Sequence, residues 1–215
     1  MMRTENIILK VTAFIIKNDG TAPEILLFKH PYAGVQIPAG TVNPGESPED
    51  AVLREVREET GLKRISIVKY LGEHEEYLPE GQKIILKNTK VYARPDVSSF
   101  DWAHLRPGIS VKIERRAKDF AQIIFQEYDQ VPDSTYETMV IKGWVPEDFL
   151  TDTSRRYFYQ VACKDRNEER WTQSADNHTF TLFWVPLNNI PEIIPPQDSW
   201  LLFLGKVFPQ VLKRR

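Results

Sequence analysis

Gly40-Thr41-Val42-Asn43-Pro44-Gly45-Glu46-Ser47-Pro48-Glu49-Asp50-Ala51-Val52-Leu53-Arg54-Glu55-Val56-Arg57-Glu58-Glu59-Thr60-Gly61-Leu62 is the stretch on which the reading of this chain turns. Asn43-Pro44-Gly45 makes a turn, Pro44 fixing φ and Gly45 free to take a positive one. Ser47 is a good N-cap, Pro48 suits the first helical position, and Glu49 and Asp50 favour the positive end of the helix dipole. Ala51, Val52 and Val56 supply an apolar side and Gly61 a stop, which predicts a helix over 48–60. On that helix Glu55, Glu58 and Glu59 fall at i, i+3 and i+4 and share one face. Three crowded carboxylates repel, and a divalent cation that prefers hard oxygen ligands relieves the repulsion. Arg54 comes within reach of Glu58 and could also bond Glu46 from the loop, orienting the ligands from behind. Without a cation, the same trio reads as a solvated acidic face with i,i+4 ion pairs.

The spacing favours the cation. Gly, five residues, Glu, seven residues, Arg-Glu, an aliphatic, any residue, Glu-Glu, any residue, Gly and an aliphatic is the Nudix box, and residues 40–62 resemble it without departure. The resemblance implies an α/β/α sandwich around a mixed sheet, with a loop–helix–loop that binds Mg²⁺ or Mn²⁺ at a pyrophosphate. It implies Glu55 and Glu59 as principal metal ligands, Glu58 as a further ligand or general base, and Gly40 as a backbone-carbonyl ligand. Glu46 and Arg54 take the structural salt-bridging positions, and Val56 and Leu62 face the core. The implied reaction is attack of water on a phosphorus of the pyrophosphate linkage in a nucleoside diphosphate derivative. Metal neutralises the phosphoryl oxygens and acidifies the water, and a carboxylate accepts the proton. Glu55 and Glu58 are the catalytic candidates, with Glu75 and Glu76 as alternative bases.

Upstream, Ile8–Ile16 and Glu24–Phe28 read as strands around a turn at Asn18-Asp19-Gly20, and 34–40 as a third strand. Downstream strands are expected at Ile65–Leu71, Lys83–Tyr92, Val111–Ile113, Ala121–Phe125, Met139–Val145, Tyr157–Cys163 and Thr179–Val185. A terminal helix, Asp198–Leu212, is interrupted by Pro209. The later segments Arg155-Arg156-Tyr157-Phe158-Tyr159-Gln160, Glu169-Arg170-Trp171 and Phe183-Trp184-Val185-Pro186-Leu187 resemble the last strands of Nudix domains. There Arg155 or Arg156 could meet a substrate phosphate, with a plain strand arginine the commoner case. Trp171 and Phe158 could stack a base, though core packing is the usual fate of such rings. His178 could approach the metal, against a loop histidine without such a role. Tyr77 stands near the place where some subgroups carry a marker residue.

A catalytic domain of this family takes about 150 residues, and removing 88–151 from the 215 leaves a chain of that size. The chain is therefore expected to consist of a discontinuous Nudix domain, 1–87 and 152–215, interrupted by an insertion, 88–151. Arg94-Pro95, Leu105-Arg106-Pro107-Gly108 and Gly143-Trp144-Val145-Pro146 resemble the turns of a bacterial SH3-type barrel, with Trp144 closing its core or lining a groove. An elaborated hairpin of the Nudix sheet is the alternative. Such a unit could cover the cleft or form a homodimer contact.

Composition limits the remaining classes. At 41% hydrophobic and 27% charged, the chain is neither disordered nor collagen-like. A net charge of −2 gives no reason to expect a specific nucleic-acid partner. Cys163 is the only cysteine, which excludes an intrachain disulfide and a cysteine-built zinc site. No apolar run approaches the roughly 20 residues that span a bilayer, so no membrane partner and a cytoplasmic location are expected. The rival from another class is a nucleotide-sensing or scaffold protein that uses the fold without turnover. Isoprenoid diphosphate isomerisation, also in the family's range, would want a catalytic cysteine where this chain has none.

Overall fold

Val11 to Ile16 and Ile25 to Phe28 are nearly unbroken apolar runs, as strands covered on both faces must be. The computed structural model describes residues 6–18, 22–131, 133–165, 169–175 and 178–212; Asp19 and Gly20 of the expected turn lie outside them. In chain order the elements are β1 (Ile8–Lys17), β2 (Glu24–His30), β3 (Gly34–Gln36), β4 (Ala39–Thr41), α1 (Pro48–Thr60), β5 (Ile65–Tyr77), β6 (Gln82–Ile85) and β7 (Thr89–Tyr92). Then come β8 (Asp101–Leu105), β9 (Ser110–Ala117), β10 (Phe120–Tyr128), β11 (Glu137–Pro146), β12 (Leu150–Thr151), β13 (Thr153–Cys163), β14 (Arg170–Ala175), β15 (His178–Pro186) and α2 (Gln197–Gly205). The chain divides into two compact units, Lys10–His74 with Arg156–Arg215, and Met1–Leu9 with Glu75–Arg155.

The first unit is layered. Its sheet runs β14-β15-β2-β1-β13-β5, with β3 added to β2 and β4 to β1. Val11, Ala13 and Ile15 of β1 and Leu26 and Phe28 of β2 face Ala51, Val52 and Val56 of α1. The alternate residues Phe14, Ile16, Ile25 and Leu27 face Trp200, Leu201 and Leu204 of α2. A period-2 strand between two helices produces this division, and the result is the expected helix–sheet–helix arrangement. Phe158, with no exposure, belongs to the α2 layer and stacks on Phe203 at 3.9 Å.

The second unit contains all of 88–151 and has its own core around Ile85, Val91, Val111, Ile123, Ile141 and Val145. Its seven strands run as an open path, β12-β6-β9-β10-β11-β7-β8, a half-barrel in place of the closed SH3-type barrel expected. Trp144 does not join that core. It neighbours Val145 on β11 and so lies on the opposite face, buried, with the Arg115 guanidinium 5.2 Å from its ring.

Several expected strands run longer than read, among them Ile65–Tyr77, Ser110–Ala117 and Thr153–Cys163, and three expected elements divide or stop short. The strand expected over 34–40 divides at Ile37-Pro38: Pro38 has no N–H for a ladder, and Ile37 N donates to Gln197 Oε1 at 2.6 Å. The strand expected over Lys83–Tyr92 divides because its halves take different partners, β6 pairing β9 and β12, β7 pairing β11 and β8. The terminal helix stops at Gly205, where a Cβ would stand 2.5 Å from Leu212 Cγ; the bare glycine lets the 3₁₀ turn Pro209–Leu212 fold back on it. Among the described residues no helix is long and apolar enough to cross a membrane.

Leu26, fully buried in the α1 layer, gives a direct check. Leu26→Ala should cost about 2–5 kcal/mol, read as a lower chemical-denaturation midpoint; a loss below about 1 kcal/mol would contradict the packing described.

Candidate active site

The expected helix forms over its full predicted length. Ser47 Oγ accepts from Asp50 N, Pro48 opens the first turn, and Gly61 closes the helix at φ 73° with its N–H on Arg57 O. The helix is tied to the sheet at both ends. Tyr159 donates its hydroxyl to Glu49 Oε1 at 2.9 Å, and Trp171 Nε1 and Gln173 Nε2 donate to the carbonyls of Thr60 and Glu58 at 2.8 and 3.1 Å. Burial and the Glu49 carboxylate push the Tyr159 phenol up, so it stays a donor. Trp171 is thus a helix-end ligand, half-buried against the α1 layer.

Arg54 organises the acidic residues. Its Nε and Nη2 grip both Glu46 oxygens at 2.8 and 2.9 Å, Nη1 reaches Glu55 Oε1 at 2.8 Å and Glu58 Oε2 at 3.1 Å, and Nη2 also donates to Thr41 O at 3.0 Å. Glu46 in turn accepts from Asn43 N at 2.9 Å, so the turn, the loop and the helix share one network. The Arg54 hydrogen bonds hold Glu46 below its ordinary pKa, and Glu46 and Glu55 hold Arg54 above its own. Bidentate, half-buried pairs of this kind position groups more reliably than exposed ones.

The bare Gly40 leaves room for the Glu55 carboxylate. A Cβ there would fall 2.0 Å from both Cδ and Oε1 of Glu55. Beside it, Ala39 N donates to Glu59 Oε2 at 3.0 Å, a contact the sequence reading did not anticipate. Glu55, Glu58 and Glu59 line a pocket of about 360 Å³ with Gln173, Ser174 and Ala175 of β14. Among the described residues no three His, Cys, Asp or Glu side chains are gathered closely enough to hold an ion as they stand. Glu55 and Glu58 both turn toward Arg54 Nη1, whereas Glu59 turns toward the Ala39 amide. The donor set is nonetheless all oxygen, which suits Mg²⁺ or Mn²⁺.

The remaining candidates are placed elsewhere. Glu75, Tyr77 and Arg155 come together in the second unit, where Arg155 Nη2 donates to Glu75 Oε2 at 2.9 Å and the Tyr77 hydroxyl to Glu75 Oε1. Those bonds, Tyr77's first, hold the Glu75 carboxyl below its usual range. Glu76 follows on the same strand, half-buried. Arg156, 7% exposed, donates to Val11 O and Thr12 Oγ1, both at 3.1 Å, and lies 4.0 Å from the Trp200 ring centre; it is engaged within the fold. His178 sits among rings at the start of β15, edge to face with His30 and tilted against Phe180.

The NUDIX domain family model matches residues 8–98, a span that includes the whole of 40–62. The chain is similar to "Putative 8-oxo-dGTP diphosphatase YtkD" of Bacillus subtilis (strain 168), 46% identical over 63 residues, 29% of this chain and 38% of that protein. It is also similar to "Putative nudix hydrolase 1" of Caenorhabditis elegans, 26% identical over 129 residues, 56% of this chain and 35% of that protein. The chain thus spans little more than a third of the length of these curated relatives.

Arg54→Gln should destabilise the fold by about 1–3 kcal/mol, the range for charged hydrogen bonds in a partly exposed setting. Glu46 ionises more readily in the folded than in the unfolded chain. Its contribution is therefore complete above the unfolded carboxylate pKa of about 4.3 and is lost as pH falls through the lower folded value. The difference in denaturation free energy between wild type and Arg54→Gln should shrink in acid. A pH-independent difference would contradict the pairing.

Proposed function

We propose that the chain is a Nudix-type pyrophosphohydrolase that cleaves the pyrophosphate linkage of a nucleoside diphosphate derivative, with Glu55, Glu58, Glu59 and the Gly40 carbonyl as ligands for Mg²⁺ or Mn²⁺. The observation that carries the reading is the acidic pocket itself, three carboxylates on successive helical turns held beside a glycine with no room for a side chain. An acidic pocket repels a pyrophosphate unless cations intervene, so the reading requires metal-dependent activity. Bound there, a divalent ion would neutralise phosphoryl oxygens and acidify a water.

The chain's own groups have distinct tasks in this reading. Arg54 orients Glu55 and steadies Glu58, while the Ala39 amide orients Glu59. Glu58, with 55% of its side chain exposed, has the freest access to solvent of the carboxylates that Arg54 binds and is our first choice to take the proton from the attacking water. Glu75 and Glu76 are the alternatives. Arg155 and Tyr77 remain the candidates for substrate contact, whereas the buried Arg156 is better suited to holding β1 and β13 together. Burial pushes the Cys163 thiol up, which disfavours a nucleophilic role for it. The name of the Bacillus relative brings purine nucleoside triphosphates into the substrate panel. We read residues 88–151, which lie within the second unit, as an opened SH3-like insertion.

The test is cleavage of ADP-ribose, dinucleoside polyphosphates, nucleotide sugars and nucleoside triphosphates with Mg²⁺ or Mn²⁺, read as phosphate release with a coupled phosphatase where the products are phosphate esters. Cleavage of one class should vanish with a chelator and fall about a hundredfold or more in Glu58→Gln with the fold intact. Near-wild-type turnover in Glu58→Gln would move the base to another carboxylate. Nucleotide binding without turnover across the panel would replace the hydrolase by a sensing module.

A further inference from the structure

On the α1 side of the eight-stranded sheet, packing changes character beyond Phe28 and Phe180, which stack at 4.7 Å. Side chains alternate along a strand, so His30 follows Leu26 and Phe28 on this face, and His178 precedes Phe180 and Leu182 on it. The two imidazoles meet edge to face at 4.7 Å, and Tyr32 closes the group, 6.1 Å from His30 and 5.9 Å from His178. Tyr32 is 55% exposed, and His178 is half-buried. The group therefore offers ring surface to solvent at the end of the core on this face.

Its position is the second observation. His178 stands directly opposite Ala175 in the β14–β15 ladder, and Phe180 opposite Gln173. Ala175 and Gln173 are walls of the pocket that Glu55, Glu58 and Glu59 line. The rings thus adjoin the acidic pocket across a single ladder.

The state of His30 narrows the ligand. Its Nδ1 accepts from Tyr32 N at 3.1 Å, which leaves the single proton of a neutral ring on Nε2. Burial first, and then the neighbouring His178, lower its pKa, so the neutral ring is favoured. A neutral imidazole stacks and donates one hydrogen bond but attracts no phosphate by charge. Such a set of rings suits a planar, uncharged heteroaromatic.

We propose that His30, Tyr32 and His178 form a stacking subsite for the nucleobase of a ligand whose phosphates occupy the acidic pocket. The proposal rests on the pyrophosphohydrolase reading for its second half. Calorimetry on the full chain with Mg²⁺ compares a purine nucleoside diphosphate with inorganic pyrophosphate, ligands that share the phosphates and differ in the base. Wild type should prefer the nucleotide by about tenfold or more. Tyr32→Ala and His178→Ala should lose most of that preference, while Tyr32→Phe and His178→Phe, which keep a ring, retain it. No preference in wild type, or a preference that survives in both alanine variants, would overturn the subsite. Tyr32 is exposed enough that its removal leaves the core untouched, which keeps that variant informative if His178→Ala fails to fold. Base preference without metal-dependent phosphate release would uphold the subsite and overturn the hydrolase reading. Release by wild type together with preference kept in the alanine variants would overturn the subsite alone.

Discussion

One guanidinium keeps three glutamates on one loop and helix compatible with a folded chain. Arg54 binds Glu46 with two nitrogens and Glu55 and Glu58 with a third, and its remaining donor capacity goes to the Thr41 carbonyl. Like charges at i+3 and i+4 destabilise a helix; here the repulsion is met by a cation on the same helix and, for Glu59, by the Ala39 amide. Everything else in the site follows from that anchoring. The loop cannot drift, because Glu46 ties it to the helix. A side chain at Gly40 would displace the Glu55 carboxylate from the place where Arg54 holds it.

Rigidity comes to the helix from the sheet. Ala51, Val52 and Val56 are fully buried against β1 and β2, while Tyr159, Trp171 and Gln173 bond the helix from the sheet strands. The last two matter because helix ends carry backbone groups that need partners, while Tyr159 holds the Glu49 side chain. The Thr60 and Glu58 carbonyls find theirs on β14, the strand that also walls the acidic pocket. Holding the helix end and shaping the pocket are therefore tasks of the same six residues of chain. The other unit has a separate apolar core, around Ile123 and Val145, and a separate charged group, Glu75 with Arg155 and Tyr77.

The helix, its caps and the Arg54 contacts to Glu58 and Glu46 were legible in the sequence because they are local, whereas those to Glu55 and the Thr41 carbonyl were not read. Ser47, Pro48, Gly61 and the i,i+4 pair Arg54–Glu58 each act within a few residues, and the structure places each as read. Local pattern failed where a segment's partner lies far off in the chain. Ile84 and Val91 look like one strand, yet β6 and β7 pair with different strands of the sheet. Trp144 reads as a core residue by its type, and which face of β11 it takes depends on register alone. Arg156 looks like a surface strand arginine, and only the approach of Trp200 and Val11 makes it a buried one. His30 carried no signal of its own; alternation from Phe28 assigns its face, but the pairing of β2 with β15 is what brings His178 to it.

The central claim is that the carboxylates fixed by Arg54 and the Ala39 amide form a divalent-cation site. Manganese binding followed by electron paramagnetic resonance, with a purine nucleoside diphosphate present, tests it without relying on turnover. Saturable binding by the wild type, weakened about tenfold or more in Glu55→Gln and in Glu59→Gln, is the predicted result. Equal manganese affinity in all three proteins would contradict the account.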